Sequence, residues 1–457
     1  MQFDRRKFLT AAGTSIACAA VMNSAKAIEI NISNLRGGLN ASDSGLRPSA
    51  SDDQSRTLQK ALDRAAHENK PVFLPPGDYL VSNINLPSNT RLMGVPGASR
   101  LIYTGGGHFL LSENAAHLEI TGITFDGANL PIQDYAAALV RINNADHVVI
   151  DNCEFSGSSQ IGVEIDRSAG RVINSKISGS YGNAGIFALE NRGMKISDNV
   201  IEGCANCGIM VYRWSRGEDN TIVSNNRIRR ISAIKGGTGP WGNGINTYQC
   251  DGVVVSNNHV SDCAFSTIRS NSCSNIQIIV NTCFRAGETS IYSEFEFEGA
   301  MVANNIVDGG ARGISIVNLD HGGRLSVCAN NLIRNIKDSA PYEDKNHLFG
   351  NGISAEADIS ITGNVIERAA TFGIMLGWGE YLRNVVASNN VIREADTGFY
   401  VSVVKGTGPV IISNNSLSRI LQAGIRGYRW REPVTEDLAL TGNADFKNLT
   451  VSGNRLA

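Results

Sequence analysis

Short stretches of alternating apolar and polar residues recur along most of the chain, and a polar turn follows each of them. The turn belongs to a six-residue pattern, apolar-x-Asn-Asn-x-apolar, with variations. Copies include VINSKI at residue 172, VSNNRI at 223, VSNNHV at 255, VANNIV at 302 and ASNNVI at 387. Most successive copies start 22 to 27 residues apart. A fixed period of this length indicates a solenoid of short strands.

A second pattern, Gly-apolar-x-apolar, alternates with the first. It appears as GVEI at 162, GIFA at 185, GIMV at 208, GINT at 244 and GISI at 313. One unit is too small to bury its own apolar face, so units must stack at about 4.8 Å into one continuous core. Asparagines in register then form a hydrogen-bonded ladder. Leucine-rich repeats lack this Asn pattern, and a β-sandwich would not keep one register over so many units.

We therefore predict an all-β fold, a single-stranded right-handed parallel β-helix of about 12 coils over residues 116–457. Residues 51–115 are predicted to hold a capping helix and the opening strands. In that helix Leu58, Ala61, Leu62, Ala65 and Ala66 fall on one face, and the Asp52-Asp53 region caps the N-terminus. Residues 430–447 break the rhythm and are expected to fold back as a second cap.

The N-terminus reads as a targeting segment. Arg5-Arg6 precedes a mild apolar run and the small-x-small site Ala25-Lys26-Ala27. This order is typical of a twin-arginine (Tat) signal at residues 1–27, with an ordinary secretory signal as the alternative. Residues 28–50 are then a linker, and the protein is expected in the periplasm or outside the cell, exported by the Tat machinery. No other stretch approaches the ~20 apolar residues of a membrane span.

Charge and cysteine content narrow the partners. The net charge of −2 gives no strong electrostatic field that would attract nucleic acid or an anionic membrane. Separately, we expect the protein to be a monomer. Most of the nine cysteines adjoin apolar strand positions, where a free thiol acts as a small hydrophobe. Whether Cys204 and Cys207, or Cys250 and Cys273, are disulfide-bonded stays open at this point; the latter two share a register on adjacent coils.

The signal, the Leu74-Pro75-Pro76-Gly77 turn and the Asn-Asn coils together resemble an uncharacterised family of Tat-exported, repetitive β-helix proteins in the pectate-lyase-like superfamily. The chain is more distantly similar to polysaccharide lyases, family 28 glycoside hydrolases and mannuronan epimerases. Their catalytic motifs are absent: neither Gly-His-Gly with its partners nor Asp-Pro-His-Asp stands at a matching place. The resemblance thus implies the fold and a polysaccharide ligand, but no catalytic residue.

In related β-helices the Gly-apolar-x-apolar strand forms the ligand-facing sheet. The strand pleat then predicts two outward rows. The first row is Glu164, Phe187, Met210, Asn246, Arg269, Tyr292, Ser315 and Ser354, and the second is Asp166, Leu189, Tyr212, Tyr248, Asn271, Glu294, Val317 and Glu356. Two long insertions, residues 229–243 and 334–351, are expected to wall a groove of roughly 19 Å between them, from four steps of ~4.8 Å.

Within that groove the candidate catalytic residues are Arg269, Tyr292 and Glu294. An Arg or a Tyr can remove the proton beside a uronate carboxylate in a lyase. The alternative for Arg269 is a cross-coil ion pair with a neighbouring Glu, and for the tryptophans it is loop packing. Candidate substrate-binding residues offer aromatic faces or polar groups to a sugar: Tyr212, Trp214, Trp241, Asn246, Tyr248, Asn271, Asp320, His321 and Glu356.

Glu294 and Glu296 are predicted to alternate outward with Phe295 and Phe297 inward. Two carboxylates at i and i+2 on a strand lie about 6.6 Å apart, at the edge of the range for inverting hydrolysis. They are equally suited to Ca²⁺. The residues indicate no other specific metal site, and whether a prosthetic group is bound stays open at this point.

Three functions remain as hypotheses. The first is an exported protein that binds and cleaves or modifies a polysaccharide, as a lyase, hydrolase or epimerase, in the groove of the Gly-Ile strands. The second is a non-catalytic glycan-binding or envelope scaffold protein. The third is a carrier of a metal or prosthetic group, because Tat exports folded and often cofactor-loaded proteins.

Overall fold

The computed structural model describes residues 37–343 and 348–457. It is a parallel β-solenoid of about 13 turns, as the repeat predicts. Every strand pairing in the described residues is parallel except that of the last hairpin, where Glu432–Asp437 runs antiparallel to Ser416–Arg429. The predicted signal at residues 1–27 lies outside the described residues.

The first sheet contains the strands that lead into the Asn turns, and we call it the pre-Asn sheet. Its 16 strands are Leu39–Asn40, Val72–Phe73, Thr90–Met93, His117–Thr121, His147–Asp151, Gly170–Ile173, Lys195–Ser197, Ile222–Ser224, Val254–Ser256, Ile276–Ile279, Glu298–Ala303, Arg324–Ala329, Ala357–Thr362, Arg383–Ser388, Val410–Ser413 and Leu449–Ser452.

The strands that leave the Asn turns form the post-Asn sheet. They are Gly77–Val81, Ser99–Tyr103, Thr124–Asp126, Glu154–Ser156, Lys176–Ser178, Val200–Glu202, Arg227–Ile231, His259–Cys263, Thr282–Phe284, Ile306–Asp308, Leu332–Ile336 and Arg455–Leu456. The Gly-Ile sheet comes next: Ile84–Asn85, Leu110–Glu113, Ala138–Asn143, Ile161–Asp166, Ile186–Leu189, Cys207–Glu218, Asn243–Asp251, Ile268–Asn271, Thr289–Glu294, Arg312–Ile316 and Asn351–Ala355. Three long strands run through both sheets: Val365–Leu376, Val391–Ser402 and Ser416–Arg429.

The core is a stack of inward apolar side chains. Val163, Ile186 and Ile209 pair in register on successive turns and are at most 1% exposed. Beside this core runs the predicted asparagine ladder. Each buried Asn side-chain amide donates to the Oδ1 of the next Asn at 2.9–3.1 Å. Its members are Asn199, Asn226, Asn258, Asn281, Asn305, Asn331, Asn364, Asn390, Asn415 and Asn454.

A helix over Ser55–His67 covers the first turns, as predicted. Leu58, Ala61, Leu62 and Ala65 are buried, and Ala66 at the edge of the same face is partly exposed. The Asp53 carboxylate accepts a hydrogen bond from the first helical N–H, that of Ser55, at 2.9 Å. None of the described helices is long and apolar enough to span a membrane.

The solenoid begins before the predicted boundary. Leu39–Asn40, inside the predicted linker 28–50, pairs in parallel with Val72–Phe73 and is the first strand of the pre-Asn sheet. The described part of this segment is therefore structured. The sequence did not predict this strand, because two residues are too few to show a repeat pattern. At the other end the chain folds back as expected: a short helix, Leu438–Thr441, follows the final hairpin and buries Leu438.

Candidate functional site

The outward face of the Gly-Ile sheet has the predicted register. Asn246, Arg269, Tyr292, Ser315 and Ser354 are neighbours in the first row. In the second row Tyr212, Tyr248, Asn271 and Glu294 are successive neighbours. The three predicted catalytic residues thus lie on one side of the molecule.

Sequence reasoning missed a third outward row. It contains the residue before each glycine of the Gly-apolar-x-apolar pattern, three positions ahead of the first row, and its members Arg312 and Asn351 lie beside Tyr292 and Ser315 of that row. Thr289, Arg312, Asn351 and Phe372 are successive neighbours in it. Strict alternation would place a residue three positions ahead on the opposite face, so the pleat alone does not reveal this row, which carries Arg312 and Asn351.

Arg269 and Glu294 are ion-paired across adjacent turns, and the side chains are 11% and 5% exposed. Asn271 also donates to Glu294, with 3.3 Å between Nδ2 and Oε1. The cross-coil ion pair that stood as the alternative for Arg269 is therefore what forms. Neighbouring Tyr292 is half-buried, and desolvation raises the pKa of its hydroxyl well above the usual range. A paired arginine and a phenol that resists ionisation are poor bases, so the geometry argues against the lyase roles.

Several predicted binding residues form an aromatic cluster under the first insertion. The Tyr212 and Tyr248 rings lie 5.2 Å apart, and Trp241 of the insertion packs against the cluster. Asn246 donates to the Tyr212 hydroxyl at 2.7 Å and to the Pro240 carbonyl at 3.0 Å. The insertion thus lies on these turns and covers them, so Trp241 serves loop packing.

Trp214 behaves differently from Trp241. It is 64% exposed, and its ring stands perpendicular to that of Tyr212 with the centroids 6.4 Å apart. Most of the indole is therefore available to a ligand at the rim of the sheet.

The second insertion leans towards the first. The Tyr342 ring lies 6.2 Å from Phe265 and 6.0 Å from Phe349, and its hydroxyl hydrogen-bonds to Glu288. The second insertion therefore covers part of the turns that were predicted to form the groove. The open space lies further along the sheet.

That space is a cavity of about 280 Å³ on the outward face. Three of the predicted site residues line it, namely Tyr292, Asp320 and Glu356. Arg312 and Trp378 also line the cavity and add a cation and an aromatic ring to its walls. A concave site with aromatic walls and a few polar groups is the usual form of a small-molecule or sugar site.

Glu356 is the most perturbed carboxyl in the cavity. Its Oε2 accepts hydrogen bonds from the backbone N–H groups of Asn318 at 2.7 Å and Leu319 at 2.8 Å. Burial outweighs these bonds and, together with the nearby charge of Asp320, raises the pKa of Glu356 to about 7. Asn318 adopts the left-handed conformation at φ 76°, which Asn tolerates better than most residues. Glu356 can therefore carry a proton near neutral pH.

Arg312 brings a cation to the same cavity. It is 7% exposed, its guanidinium lies 4.7 Å from the Phe349 ring centroid, and its Nε donates to the Leu348 carbonyl at 3.3 Å. No carboxylate of the described residues lies within 4 Å of it, whereas Arg269 pairs with Glu294. A buried arginine without a close counter-ion is suited to binding an anionic group.

Two acceptors in the cavity lining lack a partner within the described chain. The Oδ1 atoms of Asn318 and Asn351 are buried and accept no hydrogen bond there. Ligand hydroxyls are natural donors to such atoms, because a buried acceptor without a donor is unfavourable.

The expected pair of Glu294 and Glu296 does not form on one strand. The strand ends at Glu294, and Phe295 and Glu296 have positive φ angles of 53° and 40°. Phe297 is buried as predicted, but Glu296 is exposed at the turn and Glu294 is held by Arg269. The i, i+2 spacing therefore fails, and with it the basis for Ca²⁺ or inverting hydrolysis there. No group of three or more His, Cys, Asp or Glu suited to a metal occurs in the described part of the chain.

Asp320 and His321 stand at the cavity edge. The His321 Nδ1 lies 3.0 Å from the Asp320 Oδ2, and both side chains are exposed.

The eight cysteines among the described residues are buried and free. Cys250 and Cys273 are adjacent, but the Cys250 N–H donates to the Cys273 sulfur at 3.3 Å. The thiols serve as small core side chains.

Comparison with known proteins agrees with the fold. The profile of the right-handed β-helix region matches residues 108–239 and 214–322, and that of the rhamnogalacturonase A/epimerase, pectate-lyase-like domain matches residues 38–122. No curated protein sequence matches the chain.

Among solved structures, pre-mature gene product 12 of bacteriophage phi29 is similar, with 16% identity and a TM-score of 0.53 over 87% of this chain and 64% of that protein. The chain therefore spans less than two thirds of that relative's length. The N-terminal fragment of the same phage protein gives 17% identity and a TM-score of 0.50, over 87% and 70% of the two chains. At such identity the likeness shows the fold alone. The chain belongs to the right-handed β-helix, pectate-lyase-like family.

Proposed function

We propose that the protein binds an acidic polysaccharide on the Gly-Ile sheet and hydrolyses it at the cavity of Tyr292, Arg312 and Glu356. The observation that carries the proposal is the Glu356 carboxyl, whose pKa is raised to about 7 at the wall of an aromatic-lined cavity. A carboxyl that keeps its proton near neutral pH is the general acid that glycoside hydrolysis needs.

In the proposed reaction Glu356 gives its proton to the glycosidic oxygen as the bond from that oxygen to the anomeric carbon breaks. A water molecule adds its oxygen to the anomeric carbon, and the water proton passes to the carboxylate of Asp320. Asp320 is the partner that the cavity offers, because it is exposed and lies close enough for its charge to act on Glu356. Arg312 would hold a carboxylate or sulfate of the sugar, and Trp378 a sugar face.

A screen on acidic and neutral glycans tests the proposal by new reducing ends and by the ultraviolet absorbance of unsaturated ends. We expect reducing ends without unsaturation. Glu356→Gln should lower the rate by about 100-fold or more, the range of general acid catalysis, while glycan affinity stays within a few-fold. Glu154→Gln, an exposed change on another sheet, is the matched control. Unsaturated ends, or full activity in Glu356→Gln, would overturn hydrolysis by this residue.

A binding-only role is the second candidate, and the exposed indole of Trp214 favours it. It predicts glycan affinity that Trp214→Ala reduces, with no new reducing ends in any glycan. Turnover by the wild-type protein would exclude this candidate.

We further propose export through the Tat route to the periplasm or the medium. Arg5-Arg6 and the Ala25-Lys26-Ala27 site support it. Replacing both arginines by lysine should retain the unprocessed protein in the cytoplasm, as followed by fractionation. Unchanged export in that variant would instead support an ordinary secretory signal.

A further inference from the structure

Exposed aliphatic side chains line up on the post-Asn sheet. Ile306, Leu332, Val365 and Val391 occupy four successive turns in register. Each is 40–44% exposed. The row is separate from the cavity, since it lies on a different sheet of the solenoid.

A second aliphatic row faces outward on the adjoining pre-Asn sheet. Met301, Val327, Val386 and Ile411 are 39–44% exposed, and Ser360 stands between the second and the third. The two rows flank the same corner, because each Asn turn joins one strand of the pre-Asn sheet to the next strand of the post-Asn sheet.

The aliphatic row on the post-Asn sheet is continuous over these four turns. On earlier turns the positions equivalent to Ile306 are Glu154, Lys176, Val200, Arg227, His259 and Thr282, so that Val200 stands among polar residues. On the pre-Asn sheet the row of Met301 is interrupted by Gln277 and also contains Val254 and Ile222 on earlier turns. The solenoid geometry is the same in both parts, so the fold itself does not demand apolar residues there. Eight aliphatic side chains at this exposure present on the order of 500 Å², a size that marks an interaction surface.

Next to the aliphatic row on the same strands lies a row of charges in alternating order: Asp308, Arg334, Glu367 and Arg393. Within the chain the row is joined pairwise. Arg334 Nη2 lies 3.0 Å from Asp308 Oδ2, and Arg393 Nη1 lies 2.7 Å from Glu367 Oε2. All four side chains are 26–46% exposed, so each can also form an ion pair with a charged group of another molecule.

The alternation is self-complementary when read backwards. Minus, plus, minus, plus becomes plus, minus, plus, minus, so an antiparallel copy would set Asp308 opposite Arg393 and Arg334 opposite Glu367. A copy in parallel register would set like charges opposite each other, which is unfavourable. A two-fold contact of this kind is the commonest arrangement of homodimers.

We infer that a second copy of this chain packs on the surface, antiparallel, with the two-fold axis between the turns of Leu332 and Val365. The aliphatic surfaces of the two copies would together bury about 1,000 Å², and the charge rows would add to this area. The total reaches the lower range of specific protein–protein interfaces. We expected a monomer from the sequence. The aliphatic row could not be recognised there, because its members are single residues on separate turns that become neighbours only when the turns stack.

Sedimentation velocity of the purified protein between 1 and about 50 μM, concentrations chosen for a weak interface, tests the inference. We expect a concentration-dependent dimer. Val365→Glu should weaken it at least ten-fold, whereas Ile222→Glu should leave it intact. Ile222 is the matched control, being 43% exposed and outward on the pre-Asn sheet of an earlier turn. Thermal melts establish that both variants are folded.

A charge exchange tests the antiparallel register. Arg334→Glu should weaken the dimer, and Arg334→Glu combined with Glu367→Arg should restore it, because these two positions face each other across the axis. A wild-type protein that stays monomeric throughout overturns the inference. A dimer unaffected by Val365→Glu overturns it too, and a folded double variant that fails to recover contradicts the antiparallel arrangement.

Discussion

The Oε2 atom of Glu356 lies 2.7 Å from the backbone nitrogen of Asn318, in a loop that comes after the preceding turn of the Gly-Ile sheet. This contact fixes the carboxyl against the cavity wall, where burial raises its pKa. The same loop supplies Asp320, so one short segment holds the proposed acid and carries its proposed partner.

Glu356 should make stability depend on pH. Its pKa is about 7 in the folded protein and its ordinary value is 4.5, so the folded state binds the proton more tightly and stability falls as pH rises between these values. At pH 8 Glu356→Gln should therefore raise the free energy of unfolding by about 3 kcal/mol relative to its effect at pH 4. Urea unfolding at the two pH values measures this; an equal effect at both would contradict the raised pKa.

Arg312 should select for charge in the glycan. Because no described carboxylate lies within 4 Å of it, Arg312→Gln should lower affinity for an acidic oligosaccharide at least ten-fold, about 1.4 kcal/mol, and leave a neutral one unchanged. Isothermal titration calorimetry at fixed salt measures both. Arg192→Gln, an exposed arginine elsewhere, is the control. Equal losses for both glycans would mean that Arg312 supports the cavity without reading charge.

Arg269 and Glu294 should behave as a structural pair. Removing one partner, as in Arg269→Met, leaves a buried charge and should cost about 3–5 kcal/mol of unfolding free energy. The double variant Arg269→Met with Glu294→Leu should recover much of this loss. Chemical unfolding checks the cycle. Should Arg269→Met abolish turnover while stability stays unchanged, the residue would be catalytic after all.

The asparagine ladder should be a main source of stability. The Asn305 amide donates to the Ile278 carbonyl at 2.9 Å and to Asn331, and its oxygen accepts from Asn281. Asn305→Ala leaves buried groups without partners and should cost about 2–4 kcal/mol. Asn304→Gly, at the exposed neighbouring position with φ 58°, should change stability little. Similar melting temperatures for the two variants would contradict the ladder's role.

The features set by the repeat could be predicted from the sequence. A fixed period and pleat determine which residues face outward, so Arg269, Tyr292 and Glu294 could be assigned to one face in advance. The period does not determine how side chains pair across turns, and Arg269 therefore proved to be bound to Glu294. The prediction for Glu296 was wrong because two left-handed residues end the strand, a conformation that the apolar alternation of this segment does not reveal.

The chemistry of the cavity was harder to predict for a related reason. Arg312 precedes a glycine and lies three positions before the first predicted row, where strict alternation of the pleat would turn it inward. Glu356 was predicted only as a binding residue, because its raised pKa results from burial and from the nearby charge of Asp320, both of which depend on tertiary structure. Irregular loops carry no period, so their contacts depend on tertiary structure.

The pH dependence of kcat/KM on the cleaved glycan tests the central claim most directly. With Glu356 as the proton donor, activity should fall as pH rises through about 7, the value to which its pKa is raised. Asp320→Asn removes the proposed base and should lower the rate, and it should move the limb of the remaining activity to lower pH because a nearby negative charge is lost. An alkaline limb at the same pH in Glu356→Gln, or no limb near 7 in the wild-type enzyme, would contradict the account.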